Sequence, residues 1–255
     1  MTMLAETVPR VLMETARKNG DRVAMRKKEY GLWHDISWNE YFDKAKYVAS
    51  ALISMGLEKG DSVSIIGDNC PEWVIADMGI QCAGGAATGV YATNSWPQVE
   101  YVVQNSDSKF FFVENEEQLD KWLHFKDNVP LLKKVIVWDL EGLRHFTDPM
   151  VMTFDALLDM GREVFQKNPE LFFKRAEEIQ PEDLSVLIYT SGTTGPPKGA
   201  MLTHRNVLWV GRAISVYNPV YETDEVMSFL PLCHIFERLF SVFAHITYGL
   251  SLIHI

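Results

Sequence analysis

A chain of 255 residues, 47% of them hydrophobic, has enough apolar material for a large core, which excludes a disordered segment. Its 24 basic side chains stand against 34 acidic ones, a formal charge of −10, and the longest basic run is Arg26-Lys27-Lys28. A nucleic-acid footprint is thereby excluded, and small molecules are the expected partners.

The first residues carry no charged region leading into an apolar core, so no secretory signal is read and a cytoplasmic protein is expected. Leu4, Val8, Val11, Leu12 and Thr15 recur at spacings of three and four before Asn19-Gly20, which predicts an amphipathic helix over 4–18. Residues 22–27 and 31–36 are expected to pair as a hairpin around Tyr30-Gly31. Ser37-Trp38-Asn39-Glu40 is a capping box, whose hydroxyl and carboxylate reciprocally satisfy free N–H groups at a helix start. That helix buries Tyr41, Ala45, Val48, Leu52 and Met55 and stops at Gly56. A strand over 62–67 follows, and Pro71 opens the next helix in its first turn. Strands over 86–91, 109–113 and 134–138 alternate with helices over 97–105 and 116–125. Repeated β-then-α units predict an α/β fold of mostly parallel sheets flanked by helices. Phe110, Phe111 and Phe112 run without alternation, as in a central parallel strand, and are expected in the core. From 139 to 182 the pattern loosens into polar linker and two helices, over 154–165 and 169–178, with no recognisable chemistry.

An apolar strand over 185–189 leads into Tyr189-Thr190-Ser191-Gly192-Thr193-Thr194-Gly195-Pro196-Pro197-Lys198-Gly199. Gly192 and Gly195 let backbone N–H groups turn inward, the hydroxyls of Thr190, Ser191, Thr193 and Thr194 add donors, and Lys198 adds a mobile positive charge. This is an anion cradle, expected between a strand and a helix that begins near Thr203. A P-loop is excluded, because Pro197 stands five residues after Gly192 and Gly199 follows the lysine. A helix over 204–217, a strand over 226–230 and an apolar helix over 233–247 come next. His234 falls at the strand end, where ligands bind in open α/β sheets. Residues 239–255 carry no Asp, Glu, Lys or Arg but fall short of the roughly 20 apolar residues of a membrane span. A buried helix and a buried strand are expected there. Cys70, Cys82 and Cys233 are odd in number and too scattered for metal spacing, which fits a reducing compartment and gives none of them a role.

The phosphate loop and the following Ala200-Met201-Leu202-Thr203-His204 resemble the signature of the adenylate-forming superfamily, which includes acyl-CoA synthetases, luciferases and nonribosomal-peptide adenylation domains. Likeness to the long-chain fatty acyl-CoA synthetases continues in Asn69-Cys70-Pro71-Glu72-Trp73-Val74-Ile75-Ala76-Asp77, in Gly89-Val90-Tyr91-Ala92-Thr93-Asn94-Ser95 and in Leu230-Pro231-Leu232-Cys233-His234-Ile235-Phe236-Glu237-Arg238. Ala92 departs from the proline that relatives often carry. The resemblance implies an incomplete N-terminal domain of the adenylate-forming (acyl-CoA synthetase/luciferase-like) fold over 1–255. It implies ATP, Mg²⁺ and coenzyme A, with a fatty acid as substrate: the carboxylate attacks the α-phosphate, pyrophosphate leaves, and the coenzyme A thiol then attacks the acyl-adenylate. Carried over residue by residue, Thr190, Ser191, Gly192, Thr193, Thr194, Gly195, Lys198 and Gly199 hold the nucleotide, and Thr193 also contacts Mg²⁺. Lys198 and His234 are the implied catalytic residues, and His234, Phe236 and Leu239 the implied acyl pocket.

The family's Tyr-Gly-x-Thr-Glu segment, ribose-binding Asp, hinge and C-terminal domain with its adenylation lysine are not found in these 255 residues. The chain is therefore expected to be truncated and inactive alone, with an exposed apolar sheet edge at 252–253 and foreign sequence as one reading of 251–255. Peripheral membrane contact is an implied property of the full-length enzyme. Two alternatives stand beside the fatty-acid reading: another adenylating enzyme such as an aryl-CoA ligase, and a nucleotide-binding module without turnover. His234-Ile235-Phe236-Glu237-Arg238 favours the fatty acid over the aryl acid, and the missing parts favour the module.

Overall fold

The computed structural model of the chain describes residues 6–190 and 195–254, the side chain of Tyr217 excepted. Pro9 lies in the first turn of α1 (Val8–Asn19), where its missing N–H has no helical partner to lose. The hairpin of β1 (Val23–Glu29) and β2 (Leu32–Ser37) turns through Tyr30 and Gly31 at φ 48° and 83°, both positive as a two-residue hairpin turn favours. Helix α2 (Trp38–Ser54) starts on the Ser37 hydroxyl, which accepts the Glu40 N–H at 3.1 Å. Only this half of the expected capping box forms, because the Glu40 carboxylate pairs with Lys44 one turn on, at 2.8 Å.

The β/α alternation then runs as the periodicity predicts, through β3 (Ser62–Ile66), α3 (Pro71–Cys82), β4 (Ala86–Val90), α4 (Trp96–Asn105), β5 (Phe110–Val113), α5 (Glu116–Leu123) and β6 (Lys134–Val137). The polar linker hides one short strand, β7 (Val151–Thr153), ahead of α6 (Phe154–Lys167) and α7 (Glu170–Glu178). After β8 (Leu184–Thr190) come β9 (Lys198–Thr203), α8 (His204–Tyr217) and β10 (Glu225–Ser228). The apolar helix begins two residues later than the pattern suggests, as α9 (Ile235–Arg238), and continues through a π-helical segment, Leu239–Ala244, into α10 (His245–Tyr248). β11 (Ser251–His254) closes the described chain.

Among the described residues, seven strands form one sheet in the order β7-β6-β5-β3-β4-β8-β9, parallel except for β9. Successive side chains on a strand face opposite ways. Phe110 and Phe112 therefore enter the core built with α1, α2 and α3, whereas Phe111 and Val113 enter the one built with α4 and α5. All four are fully buried. A second sheet has the order β10-β11-β1-β2. In it Leu252 registers with Met25 on one side and Val226 on the other, both parallel. The expected free edge at 252–253 is thus corrected: β11 is an inner strand, and residues 251–254 are built into the fold. The charge-free stretch is the buried helix and strand expected, and no described helix is long and apolar enough to cross a membrane.

Three histidines are buried as neutral rings. His204 Nδ1 accepts the Val8 N–H at 3.4 Å, and His245 Nε2 donates to the Ala24 carbonyl at 3.0 Å while its ring lies against Trp38 and Tyr41. Both ring nitrogens of His254 are buried without a hydrogen-bond partner. Burial pushes His204 down from 6.5 to about 4 against the pull of Asp183, His245 to about 3 with His254 adding repulsion, and His254 to about 4 with Lys27 adding repulsion. The unfolded chain takes up these protons as pH falls past 6.5, and the folded chain does not until about 4. Stability is therefore full above that window and falls through it, each ring removing up to about 1.4 kcal/mol per pH unit. Urea midpoints are expected to drop from about pH 7 to about pH 5. Equal midpoints would show that the rings do not stay neutral.

Candidate functional site

Ligands of open α/β sheets sit where the connections leaving neighbouring strand ends diverge. Strands β4 and β8 are such neighbours: β4 leads through α4 back toward β5, while β8 leads the other way to β9. A cavity of about 560 Å³ lies at their carboxyl ends, lined by Tyr91, Asn94, Gln98, Tyr101, Tyr189, Thr190, Pro197 and His234, with Pro97, Val102, Ile188 and Ile235 as apolar walls. Thr190 and His234, singled out separately in the sequence, share this one space.

The phosphate loop spans the turn of the β8–β9 hairpin, which corrects the expected order of strand, loop, helix to strand, loop, strand, helix. Periodicity misses β9 because it is an edge strand with few covered side chains, Met201 among the exposed ones; the backbone ladder to β8 defines it. That ladder sets Thr190 opposite Lys198 and Tyr189 opposite Gly199. Thr190 and Lys198 are exposed at the hairpin mouth, and Gly195 is exposed in the turn. A Cβ on Gly199 would lie 3.2 Å from the Tyr189 ring, so the glycine makes room for that ring across β9. Ser191, Gly192, Thr193 and Thr194 lie outside the described residues.

His234 is itself exposed, but the segment that carries it, residues 228–238, is held from several sides. A Cβ on Gly89 would lie 2.6 Å from the Cys233 Cα, so only glycine in β4 lets this segment lie so close on the strand. Asn69 donates from Nδ2 to the Ser228 hydroxyl at 2.8 Å and the Leu230 carbonyl at 2.7 Å, and accepts the Leu232 N–H at 3.2 Å. The buried Glu237 carboxylate accepts the Ser228 hydroxyl at 2.9 Å and the Leu230 N–H at 3.3 Å. Arg238, with no exposed surface, forms a two-pronged pair with Asp77 of α3, Nε to Oδ2 at 3.0 Å and Nη2 to Oδ1 at 2.5 Å. It also donates to the Ala87 carbonyl of β4 at 3.3 Å, and its guanidinium lies 5.1 Å from the Trp73 ring centre.

His234 itself caps α9, its Nδ1 accepting the Phe236 N–H at 3.2 Å. With Nδ1 engaged as an acceptor, the neutral ring carries its proton on Nε2, one donor available to an anion. The neighbouring Cys233 thiol is pushed up to about 12 by burial and stays protonated. Cys82 is likewise pushed up to about 12, and Cys70 well above its ordinary value. None has the thiolate character of a nucleophile.

Among the other expected site residues, Lys198 flanks the mouth but does not line the cavity, and the same holds for Gly195 and Gly199. Phe236 is exposed with its ring 5.0 Å from that of Phe240, and Leu239 packs on the main core; neither lines the cavity. The described residues gather no group of three or more His, Cys, Asp or Glu suited to a metal ion. Asn69, Asp77, Glu237 and Arg238 had no assigned role in the sequence. For Asp77, Glu237 and Arg238 the signal was there as ionisable residues inside apolar helical runs, which are buried only when paired.

The family described as AMP-binding enzyme matches residues 12–255. The long-chain-fatty-acid–CoA ligase ACSBG2 of Xenopus laevis is 34% identical over 249 residues, covering 95% of this chain and 33% of that protein. The chain thus spans about a third of the length of the curated relatives it matches. Among solved structures, a long-chain-fatty-acid-CoA ligase from Archaeoglobus fulgidus aligns with a TM-score of 0.80 at 18% identity, over 99% of this chain and 48% of that one. The N-terminal domain of FACL13 from Mycobacterium tuberculosis aligns with a TM-score of 0.75 at 21% identity, over 98% of this chain and 57% of that one. These structural likenesses establish a shared α/β fold. Since the family match takes in both sheets, the β8–β9 hairpin and the segment that seats His234, the chain belongs to the AMP-binding enzyme family.

Proposed function

We propose that the chain forms the amino-terminal part of an ATP-dependent long-chain fatty acid–CoA ligase. The observation that carries this is the cavity at the β4 and β8 ends, which puts His234 beside Thr190 while the ladder sets Lys198 across from it. In this reading the fatty-acid carboxylate attacks the α-phosphate, the bond to the bridging oxygen breaks and pyrophosphate leaves. The thiol sulfur of coenzyme A then attacks the acyl carbonyl, and AMP leaves with the C–O bond electrons. Lys198 and the loop donors Thr190, Ser191, Gly192, Thr193, Thr194, Gly195 and Gly199 hold the phosphates as charge moves onto the departing pyrophosphate, a positional and electrostatic contribution. The Nε2–H of His234 faces the same transfer as a fixed donor to carboxylate or α-phosphate oxygen. Mg²⁺, when bound, neutralises phosphate charge, with Thr193 as this chain's contribution to its contacts.

From the cavity, the acyl chain is proposed to continue past exposed Phe236 toward Leu239, in the apolar stretch that follows His234. Each methylene taken from water is worth roughly 0.8 kcal/mol. In the full-length gene product, kcat/KM is therefore expected to climb from acetate through octanoate to palmitate, read as pyrophosphate release. A preference for coumarate over palmitate would replace the fatty-acid reading with an aryl-CoA ligase.

A further inference from the structure

We infer that α4 is a splint for the nucleotide loop, with Tyr101 and Asn105 as positioning residues that set where Lys198 stands. The inference rests on the reading above, in which Lys198 meets the nucleotide phosphates. Tyr101 and Asn105 are one helical turn apart and so project from the same face of α4. The Tyr101 hydroxyl donates to the Pro197 carbonyl at 3.0 Å. The Tyr189 hydroxyl donates to Asn105 Oδ1 at 2.8 Å. Each arm of the hairpin is thus tied to the helix at the residue next to the one expected at the ligand: Pro197 precedes Lys198, and Tyr189 precedes Thr190.

The two ties are not redundant with the ladder. Thr190 and Lys198 form its last pair, and among the described residues β9 is the edge of the sheet, with no strand paired to its outer side. The Lys198 ammonium makes no hydrogen bond or ion pair with any described residue, and therefore its backbone alone fixes its position. Holding the Pro197 carbonyl fixes the peptide plane that enters Lys198, because the proline ring already restricts φ on the other side. Gly199 completes the arrangement, since a side chain there would press on the Tyr189 ring and pull its hydroxyl from Asn105. Burial pushes the Tyr189 phenol up to about 12, which keeps it a donor through neutral pH. A charged group misplaced by about 1 Å at a phosphoryl centre loses on the order of a hundredfold in rate, so a tie of this kind bears on chemistry as well as on shape.

The test uses the full-length gene product with palmitate and ATP, read as pyrophosphate release. Tyr101→Phe keeps the ring and its packing and removes only the hydroxyl. It is expected to lower kcat/KM for ATP about tenfold while KM for palmitate and the melting temperature stay at the wild-type values. Tyr189→Phe is expected to do the same from the other arm. Asn105→Asp keeps an acceptor for Tyr189 and is expected to retain ATP use, whereas Asn105→Leu is expected to lose it. Lys198→Ala separates the two readings. If it leaves pyrophosphate release unchanged, the nucleotide role of the loop fails and the splint falls with it. If it cripples release while Tyr101→Phe and Tyr189→Phe keep wild-type kcat/KM for ATP, the splint alone is overturned. An equal loss for ATP and palmitate accompanied by a lower melting temperature overturns it too, as the mark of a structural contact without a positioning role.

Discussion

Lys198→Ala in the full-length gene product is expected to slow single-turnover pyrophosphate release roughly 30- to 1000-fold, the equivalent of about 2 to 4 kcal/mol in barrier. Lys198 is exposed at the hairpin mouth, directly across the ladder from Thr190. Because its ammonium has no partner among the described residues, removing it costs the fold little, and the loss falls on whatever anion it meets. Negative charge grows on the departing pyrophosphate as the reaction proceeds, so the lysine stabilises the transition state more than the bound reactants. Fatty-acid binding, which the proposal places on the His234 side, is expected to change far less. An unaltered rate of release removes Lys198 from the mechanism.

The largest expected loss of stability comes from Asp77→Ala. The change strands the Arg238 guanidinium, which has no exposed surface, and leaves Gln81 without the carboxylate it contacts at 2.9 Å. A buried charge deprived of its partner costs about 3 to 5 kcal/mol, out of a total stability on the order of 5 to 15 kcal/mol. The Trp73 ring and the Ala87 carbonyl remain beside the arginine but supply no opposite charge. Asp77→Leu combined with Arg238→Met, which removes both charges at similar volume, is expected to regain most of the loss. Urea unfolding of the three proteins measures it. A drop below about 1 kcal/mol for Asp77→Ala would show that water reaches the arginine in the folded chain.

Much of the large sheet was legible because its signals are local. Ser37 and Pro71 mark helix starts, apolar runs mark the parallel strands, and their alternation leaves few topologies. The elements that escaped are those whose stability comes from elsewhere in the chain. β9 has few covered side chains of its own and exists as the antiparallel partner of β8. For β11 the strand itself is expected, and what escapes is its inner place in a second sheet, which shows only once β1, far away in sequence, is set beside it. The π-helical segment Leu239–Ala244 is indistinguishable by composition from an α-helical one. The candidate site divides the same way. Lys198, Thr190 and His234 stand out by residue type and motif. Asn69, Asp77, Glu237 and Arg238 carry ordinary polar side chains whose role lies in meeting across the fold, and Tyr101 and Asn105 matter only once α4 lies against the hairpin.

The parallel pairing of β1 with β11 sets a timetable for synthesis. The ribosome makes the β1–β2 hairpin first, yet the strand that covers the open side of β1 emerges only about 225 residues later, roughly 10 to 45 s at 5 to 20 residues per second. Throughout that interval the nascent chain carries an unpaired strand side, a template for joining other nascent chains. Arg26, Lys27 and Lys28 lie on that strand, and Arg26 and Lys27 are among the residues that later register with Ile253 and His254. Side chains of like charge repel a second copy approaching in register and accept a later neutral strand. Asp35 and Glu29 of the same hairpin pair with Arg26 and Lys27, so the guard that the triplet sets on this side before the sheet exists is a partial one.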